Sequence, residues 1–289
     1  PFKKQVWEVI PTRQFSEILA QREYAKKTSS VITLVADTGL GKTYIIDRFQ
    51  HRHPRQCVKV TINSTYKLKD ILAAICDKIG VEAAWSTSQT LTALIEKFKE
   101  LKRNGEKMII IIDEASMLRA DVLDMMDFAL RHVRRNQQKF GGVQMLFIGD
   151  LYQLPPVVRD EYILSMYYSS PFFFNAKALE GSNFITLELT KVYRQTDEHF
   201  LEILNAIRDG IIEDIDFEAL NKRYQPDFDP KDEAYVYLCS HNKMADDINQ
   251  KKLKELGGDL HSYAADVVGE FKETQYPNDE VLELKVGAQ

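Results

Sequence analysis

The sequence predicts a doubly wound α/β fold on a parallel sheet, and three observations carry that prediction. Strand-length apolar runs, VITLVA (31–36), MIIIID (108–113) and VQMLFIGD (143–150), each lead into a polar loop. Their apolar character is nearly continuous, the pattern of strands covered on both faces. Segments with helical apolar spacing lie between them, as the crossover connections of a parallel sheet require.

The elements follow in order. Residues 12–27 (TRQFSEILAQREYAKK) read as a helix with Thr12 as its cap and Phe15, Ile18 and Leu19 on one face. The strand 31–36 follows, then the glycine-bearing loop ADTGLGKT (36–43) and a helix in TYIIDRFQ (43–50). After the loop HRHPRQ, CVKVTI (57–62) reads as a second strand. A helix from Lys67 to Ile79 presents Leu68, Ile71, Leu72, Ile75 and Ile79 on one face. Another is expected from Gln89 to Lys102, then the turn RNGEK and the strand ending in Asp113. A helix over Ala120–Arg135, a turn at FGG and the strand ending in Asp150 complete the regular part.

Beyond Tyr162 the pattern loosens. FITLEL (184–189) reads as a strand and HFLEILNAIRDG (199–210) as a helix stopped by Gly210. QPDFDPKDEA (225–234), with its prolines and acids, has the look of a linker. EAYVYLCSHN (233–242) then reads as a strand, KMADDINQKKLKEL (243–256) as a helix, and the remainder offers short strand candidates. The expected organisation is a first domain over 1–195, a helix and linker over 196–232, and an incomplete second α/β domain over 233–289.

Composition narrows the class without naming a partner. Of 289 residues, 44% are hydrophobic and 28% charged, an ordinary globular balance. No apolar run approaches the roughly 20 residues needed to span a bilayer, so no membrane association is expected. The opening PFKKQVWEVIPTRQF lacks the apolar stretch of a signal peptide. Cys57, Cys76 and Cys239 are odd in number and widely spaced, which reads as reduced thiols in a cytoplasmic protein. The net charge of −5 leaves nucleic acid open, because a local groove can bind it whatever the total.

The loop ADTGLGKT follows the G-x-x-x-x-G-K-[ST] phosphate pattern except that Ala36 replaces the first glycine. Gly39 and Gly41 let the backbone approach a phosphate and turn its N–H groups inward. Lys42 is placed to neutralise β- and γ-phosphates, and Thr43 to put its hydroxyl on Mg²⁺. The candidate ATP-binding set is therefore Asp37, Thr38, Gly39, Leu40, Gly41, Lys42, Thr43 and Tyr44. The bland alternative, a glycine-rich turn, is disfavoured by the strand before it and the helix after it.

Asp113 and Glu114 stand at the tip of a buried strand. Two carboxylates there suit a Mg²⁺ ligand (Asp113) and a group that orients or deprotonates water (Glu114). The bland alternative is an acidic pair capping the next helix. Gln153 follows the third strand end on a loop stiffened by Pro155 and Pro156, where a neutral amide can sense a γ-phosphate. The histidines show no ligand spacing, so Mg²⁺ is the only metal expected.

DEASMLRADVLDMMD, KFGGVQMLFIGDLYQLPPVV, SPFFFNAKAL, LELTKVYRQTDEHFLEILNAIRDG, LNKRYQPDFDP, SHNKMADDIN and PNDEVLELKVGAQ resemble the Pif-type DNA helicases, a branch of helicase superfamily one. The resemblance runs from about Asp113 to Gln289. It implies a RecA-like P-loop domain, ATP hydrolysis, five-prime to three-prime movement and single-stranded DNA as partner. It also implies that Asp113 and Glu114 are the magnesium and water-activating pair and that Gln153 couples γ-phosphate to DNA. Arg194, in VYRQ, matches an arginine that stabilises the transition state, and His241 and Asn242 fall where the second motor domain begins.

The front of the chain, from about Pro11 to Asp113, lacks that family's DNA-gripping segment. VITLVADTGLGKT, VTINSTYKLKDIL and ALIEKFKELKRNGEKMIIIIDEA resemble instead the AAA-type transposition ATPases. The chain thus reads as two families joined near the shared DEA, with a helicase-type ATPase as the leading expectation. A transposition regulator that recruits a protein partner, and a nucleotide-binding scaffold without turnover, are its rivals. The later helicase motifs do not follow Gln289, so autonomous unwinding is not expected. Further candidate DNA contacts are Lys67, Lys69, Arg131–Arg135, Arg159 and the aromatics of SMYYSSPFFF. The basic run reads more readily as a solvated helix face, and Phe172–Phe174 as an apolar cluster.

Overall fold

A computed structural model of the chain describes residues 31–36, 46–47, 50–51, 54, 57–63, 66–104, 108–182, 184–189, 197–226, 228, 236–266 and 280–288. The helix expected over 12–27 and the loop 37–45 lie outside the described residues. The chain divides into two compact units, Pro1–Asp216 and Phe217–Gln289.

The first unit is built on five parallel strands: β1 (Val31–Ala36), β2 (Cys57–Thr61), β3 (Ile109–Asp113), β4 (Gln144–Gly149) and β5 (Phe184–Leu189). Their order is β2-β3-β4-β1-β5. β3 is buried at all five positions, which is why its sequence is an unbroken isoleucine run ending in acid. Register sets Val35 of β1 beside Gly149 of β4, and Phe147 of β4 beside Ile112 of β3. The carboxyl ends of β1, β4 and β3 therefore lie next to one another, and their loops emerge at one end of the sheet. In open α/β sheets this is where ligands bind.

Among the described elements, α1 (Leu68–Ile79), α2 (Thr87–Arg103) and α3 (Ala120–Arg134) pack over the sheet. α1 buries Ile71, Leu72, Ile75 and Cys76 at helical spacing, each large apolar side chain contributing about 1.5–3 kcal/mol of transfer free energy. Asp70 accepts the Lys67 N–H at 2.8 Å, and Gly80 ends the helix at φ 70°. α3 buries Val122, Leu123, Met126, Ala129, Leu130 and Val133 against the same core.

The expected FGG turn is a 3-10 turn in which Phe140 and Gly141 both take positive φ. Phe140 is buried, and its N–H donates to the Asp127 carboxylate. A Cβ at Gly141 would stand 2.5 Å from the Leu130 carbonyl oxygen, so only glycine fits where this turn crosses α3. The unit closes with α4 (Glu161–Ser165) and α5 (Glu198–Asp209). Asp197 Oδ1 caps α5 by accepting from Phe200 N at 3.0 Å, and Gly210 ends it at φ 69°.

The second unit holds α6 (Phe217–Asn221), α7 (Asn242–Glu255) and an antiparallel pair, β6 (His261–Ala264) with β7 (Val281–Leu284). The strand expected in EAYVYLCSHN does not form at residues 236–239, where Val236 and Leu238 are 84% and 96% exposed. Alternating apolar residues become a strand only beside a partner, and none of the described strands pairs with them. None of the three cysteines forms a disulfide, and Cys57 and Cys76 are buried. No described helix is long and apolar enough to cross a membrane.

Candidate functional site

Asp113, Glu114, Asp150 and Gln153 are carried by the ends of β3 and β4, neighbours in the sheet. The phosphate-loop candidates Asp37–Tyr44 and the arginine candidate Arg194 lie outside the described residues. β1, which runs directly into that loop, is the other neighbour of β4.

Asp113 is 4% exposed. Its Oδ1 accepts the Glu114 N–H at 3.2 Å, and its Oδ2 lies 3.2 Å from Lys59 Nζ. Glu114 adopts φ 57°, ψ 41°, a left-handed conformation that costs a non-glycine residue about 1–3 kcal/mol. The chain thereby breaks from the strand into a 3-10 turn over Ala115–Met117. Gly149 makes that break possible, because a Cβ there would meet Ser116 N at 3.1 Å and Ala115 N at 3.2 Å. The capping alternative for the acidic pair does not apply to α3, which starts at Ala120 with Arg119 before it.

Gln153 is held by Asp150. Its Nε2 donates to Asp150 Oδ2 at 3.2 Å and its backbone N–H to the Asp150 carbonyl at 3.1 Å. Asp150, itself 4% exposed, also accepts the Tyr152 N–H at 3.1 Å through Oδ1. Arg208, from α5, places Nη2 3.5 Å from the same Oδ1 and its guanidinium 4.5 Å from the centre of the Tyr152 ring. The result is a chain from helix through carboxylate to glutamine amide.

Two participants escape sequence reasoning. Lys59 pairs with Asp113 and with Asp47, the latter at 3.0 Å. Burial works against its charge, and the two carboxylates outweigh that cost and hold its pKa above the ordinary lysine value. The available signal was a lysine in mid-strand between buried valines. Arg208 carried no signal beyond its place near a helix end, because its partner lies 58 residues away.

Two arginines of the basic run, Arg131 and Arg134, are engaged within the fold, while His132 and Arg135 are exposed. Arg131 pairs with Asp127 at 2.8 Å, and Arg134 lies over the Phe98 ring and donates to the Gly141 carbonyl at 2.7 Å. Phe173 stacks on Phe147 inside the core and Phe172 on Phe174, an apolar cluster as expected. His241 precedes α7 in the second unit, with its Nδ1 2.9 Å from Ser240 Oγ.

Comparison with known proteins places this chain in a lineage. A family model described as PIF1-like helicase matches residues 13–218. The ATP-dependent DNA helicase PIF1 of Danio rerio is 32% identical over 294 aligned positions, spanning 100% of this chain and 45% of the helicase. The Mus musculus helicase of that name is 36% identical over 75% of this chain and 30% of its own length. The chain thus spans less than half of these relatives. Among solved structures, a Bacteroides Pif1 bound to ssDNA aligns with TM-score 0.71 and 26% identity, covering 97% of this chain and 64% of that one. A Bacteroides Pif1 complex with ADP-AlF3 and ssDNA aligns with TM-score 0.68 and 27% identity, covering 97% and 65%. The family match starts at residue 13 and so takes in the front segment that resembled transposition ATPases. That resemblance reflects the strand–loop–helix plan common to P-loop folds and not a second family joined at the DEA. With the match running through β1, the acidic end of β3 and the glutamine loop after β4, the chain belongs to the PIF1-like helicase family.

Proposed function

We propose that this chain is the ATP-hydrolysing motor portion of a DNA helicase and that single-stranded DNA stimulates its turnover. The observation that carries the proposal is the geometry at one sheet end. A buried Asp113, a strained Glu114 and an Asp150-held Gln153 stand at the sheet end where β1 leads into the GKT loop, β4 lying between β3 and β1. Asp37–Tyr44 would cradle the phosphates, with Lys42 on the β- and γ-groups. Asp113 offers a buried hard oxygen donor that already attracts a cation, which suits Mg²⁺, and Thr43 would share the ion. Bound Mg²⁺ would neutralise charge on the β- and γ-phosphates.

Glu114 then orients or deprotonates the attacking water, and Gln153 reports the γ-phosphate to the loop that carries it. Arg194 stabilises charge on the transferred group, as the resemblance implies. The solved relatives bound to ssDNA and to ADP-AlF3 support the DNA and nucleotide partners. Five-prime to three-prime polarity, and the division into domains at 1–195, 196–232 and 233–289, belong to the same proposal. Unwinding by this chain alone does not. Three thiols outside any disulfide support a reducing, cytoplasmic setting.

The test is steady-state ATP hydrolysis with and without single-stranded DNA, beside a Lys42→Ala control. The expected result is turnover stimulated by single strands and lost in the control. Nucleotide binding without stimulated turnover would overturn the motor reading and leave a regulator or scaffold.

A further inference from the structure

Lys59 stands where the proposed chemistry requires no cation of its own. It occupies the middle of β2 between Val58 and Val60, both buried, and its side chain is 13% exposed. β2 pairs with β3 so that Lys59 is opposite Ile111 and Thr61 opposite Asp113. The long side chain reaches two residues along the ladder to put Nζ 3.2 Å from Asp113 Oδ2. On its other side Nζ lies 3.0 Å from Asp47 Oδ1, whose side chain is 59% exposed. One ammonium is thus shared between an inner carboxylate, which the reading above assigns to Mg²⁺, and an outer one.

We propose that Lys59 is a resident competitor for divalent metal at Asp113. Its ammonium neutralises the buried carboxylate while metal is absent, and Asp47 receives the ammonium when metal arrives. The physical basis is direct. An unpaired carboxylate at this depth is costly, so the metal-free site needs a counter-charge. An ammonium and a divalent cation on the same carboxylate repel, and burial keeps solvent from screening that repulsion. Metal therefore enters chiefly with a nucleotide, whose phosphates add the negative charge that tips the exchange. The inference rests on Asp113 being a metal ligand and goes beyond it, because it assigns the control of metal affinity to a residue on a different strand.

The test uses the full chain, Mn²⁺ as the metal and ADP as the nucleotide, with free Mn²⁺ read by electron paramagnetic resonance. Lys59→Met keeps the apolar stem and removes the charge, and should tighten Mn²⁺ binding by about tenfold or more. Asp47→Asn removes the alternative seat, leaves the ammonium on Asp113, and should weaken Mn²⁺ binding several-fold. That loss should vanish when Lys59 is already Met.

Unchanged or weaker binding by a folded Lys59→Met chain overturns the proposal, as does an Asp47→Asn loss that persists in the double variant. Should Lys59→Met fail to fold, Asp47→Asn decides alone, and equal binding by it is refutation. In each of those outcomes wild-type Mn²⁺ binding still stands, so the ATPase reading survives. If the wild type binds no Mn²⁺ with ADP, both fall together.

Discussion

Glu114 is held at φ 57°, ψ 41° immediately after a fully buried strand, and nothing about a glutamate favours that conformation. The surroundings impose it. Asp113 Oδ1 takes the Glu114 N–H, the Glu114 carbonyl accepts from Met117 N at 3.0 Å, and Gly149 leaves room for the turn. Backbone strain of this kind persists where a side chain has to be presented at a fixed place, and the role proposed for Glu114 is activation of water. Glu114→Gln keeps the length and shape of the side chain and removes the proton acceptor. It should lower kcat for ATP by about 10²–10⁴-fold with nucleotide affinity nearly unchanged. A coupled hydrolysis assay beside a fluorescent-nucleotide titration reads both, and a kcat equal to wild type would remove Glu114 from the chemistry. The sequence made the carboxylate pair visible but not this conformation, which depends on how closely the ends of β3 and β4 approach.

Among the elements, α5 has a role that its own sequence hides. Its amphipathic pattern, aspartate cap and terminal glycine made the helix legible, while the reach of Arg208 to Asp150 follows only from the packing. The Asp150 carboxylate takes three donors, from Tyr152 N, Gln153 Nε2 and Arg208 Nη2, so α5 is tied to the loop that carries the glutamine. Under the role proposed for Gln153, Arg208 would be a positioning residue that acts through Asp150. Arg208→Ala should lower DNA-stimulated kcat by about tenfold, in the range of a partly buried charge-assisted contact. Arg208→Lys, which restores charge without the planar stack on Tyr152, should recover part of that loss. In a Gln153→Ala background the Arg208→Ala effect should largely disappear. Additive losses, or a lower melting temperature with kcat unchanged, would make the contact merely structural. The same non-locality explains Lys59: its pairing with Asp113 appears only once β2 and β3 are neighbours. It explains EAYVYLCSHN in the opposite sense, since its alternation promised a strand and no described strand pairs with residues 236–239.

At the scale of the whole molecule, the two units differ in how they are held. The first has a continuous core in which β3, β4, α1 and α3 bury Ile71, Leu72, Ile110, Leu123, Phe147 and their neighbours almost completely. In the second, α7 has no buried residue, β6 is exposed at all four positions and β7 at three of four. The parallel sheet was legible because its central strands are mostly buried, β3 at all five positions and β4 at four of six. The single family was not legible at the front, where local pattern matched a different P-loop lineage. Burial is what ties local opening to global unfolding, so amide exchange should divide the chain at about the unit boundary. In the full chain without nucleotide or DNA, amides of β3, β4 and α3 should exchange only through global unfolding. Those of α7, β6 and β7 should exchange by local opening, about 10²-fold faster or more. Exchange read by mass spectrometry under native conditions separates the two behaviours. Equal protection in both units would mean that residues 217–289 share the stability of the first unit, and the contrast in burial would then not govern how this chain opens.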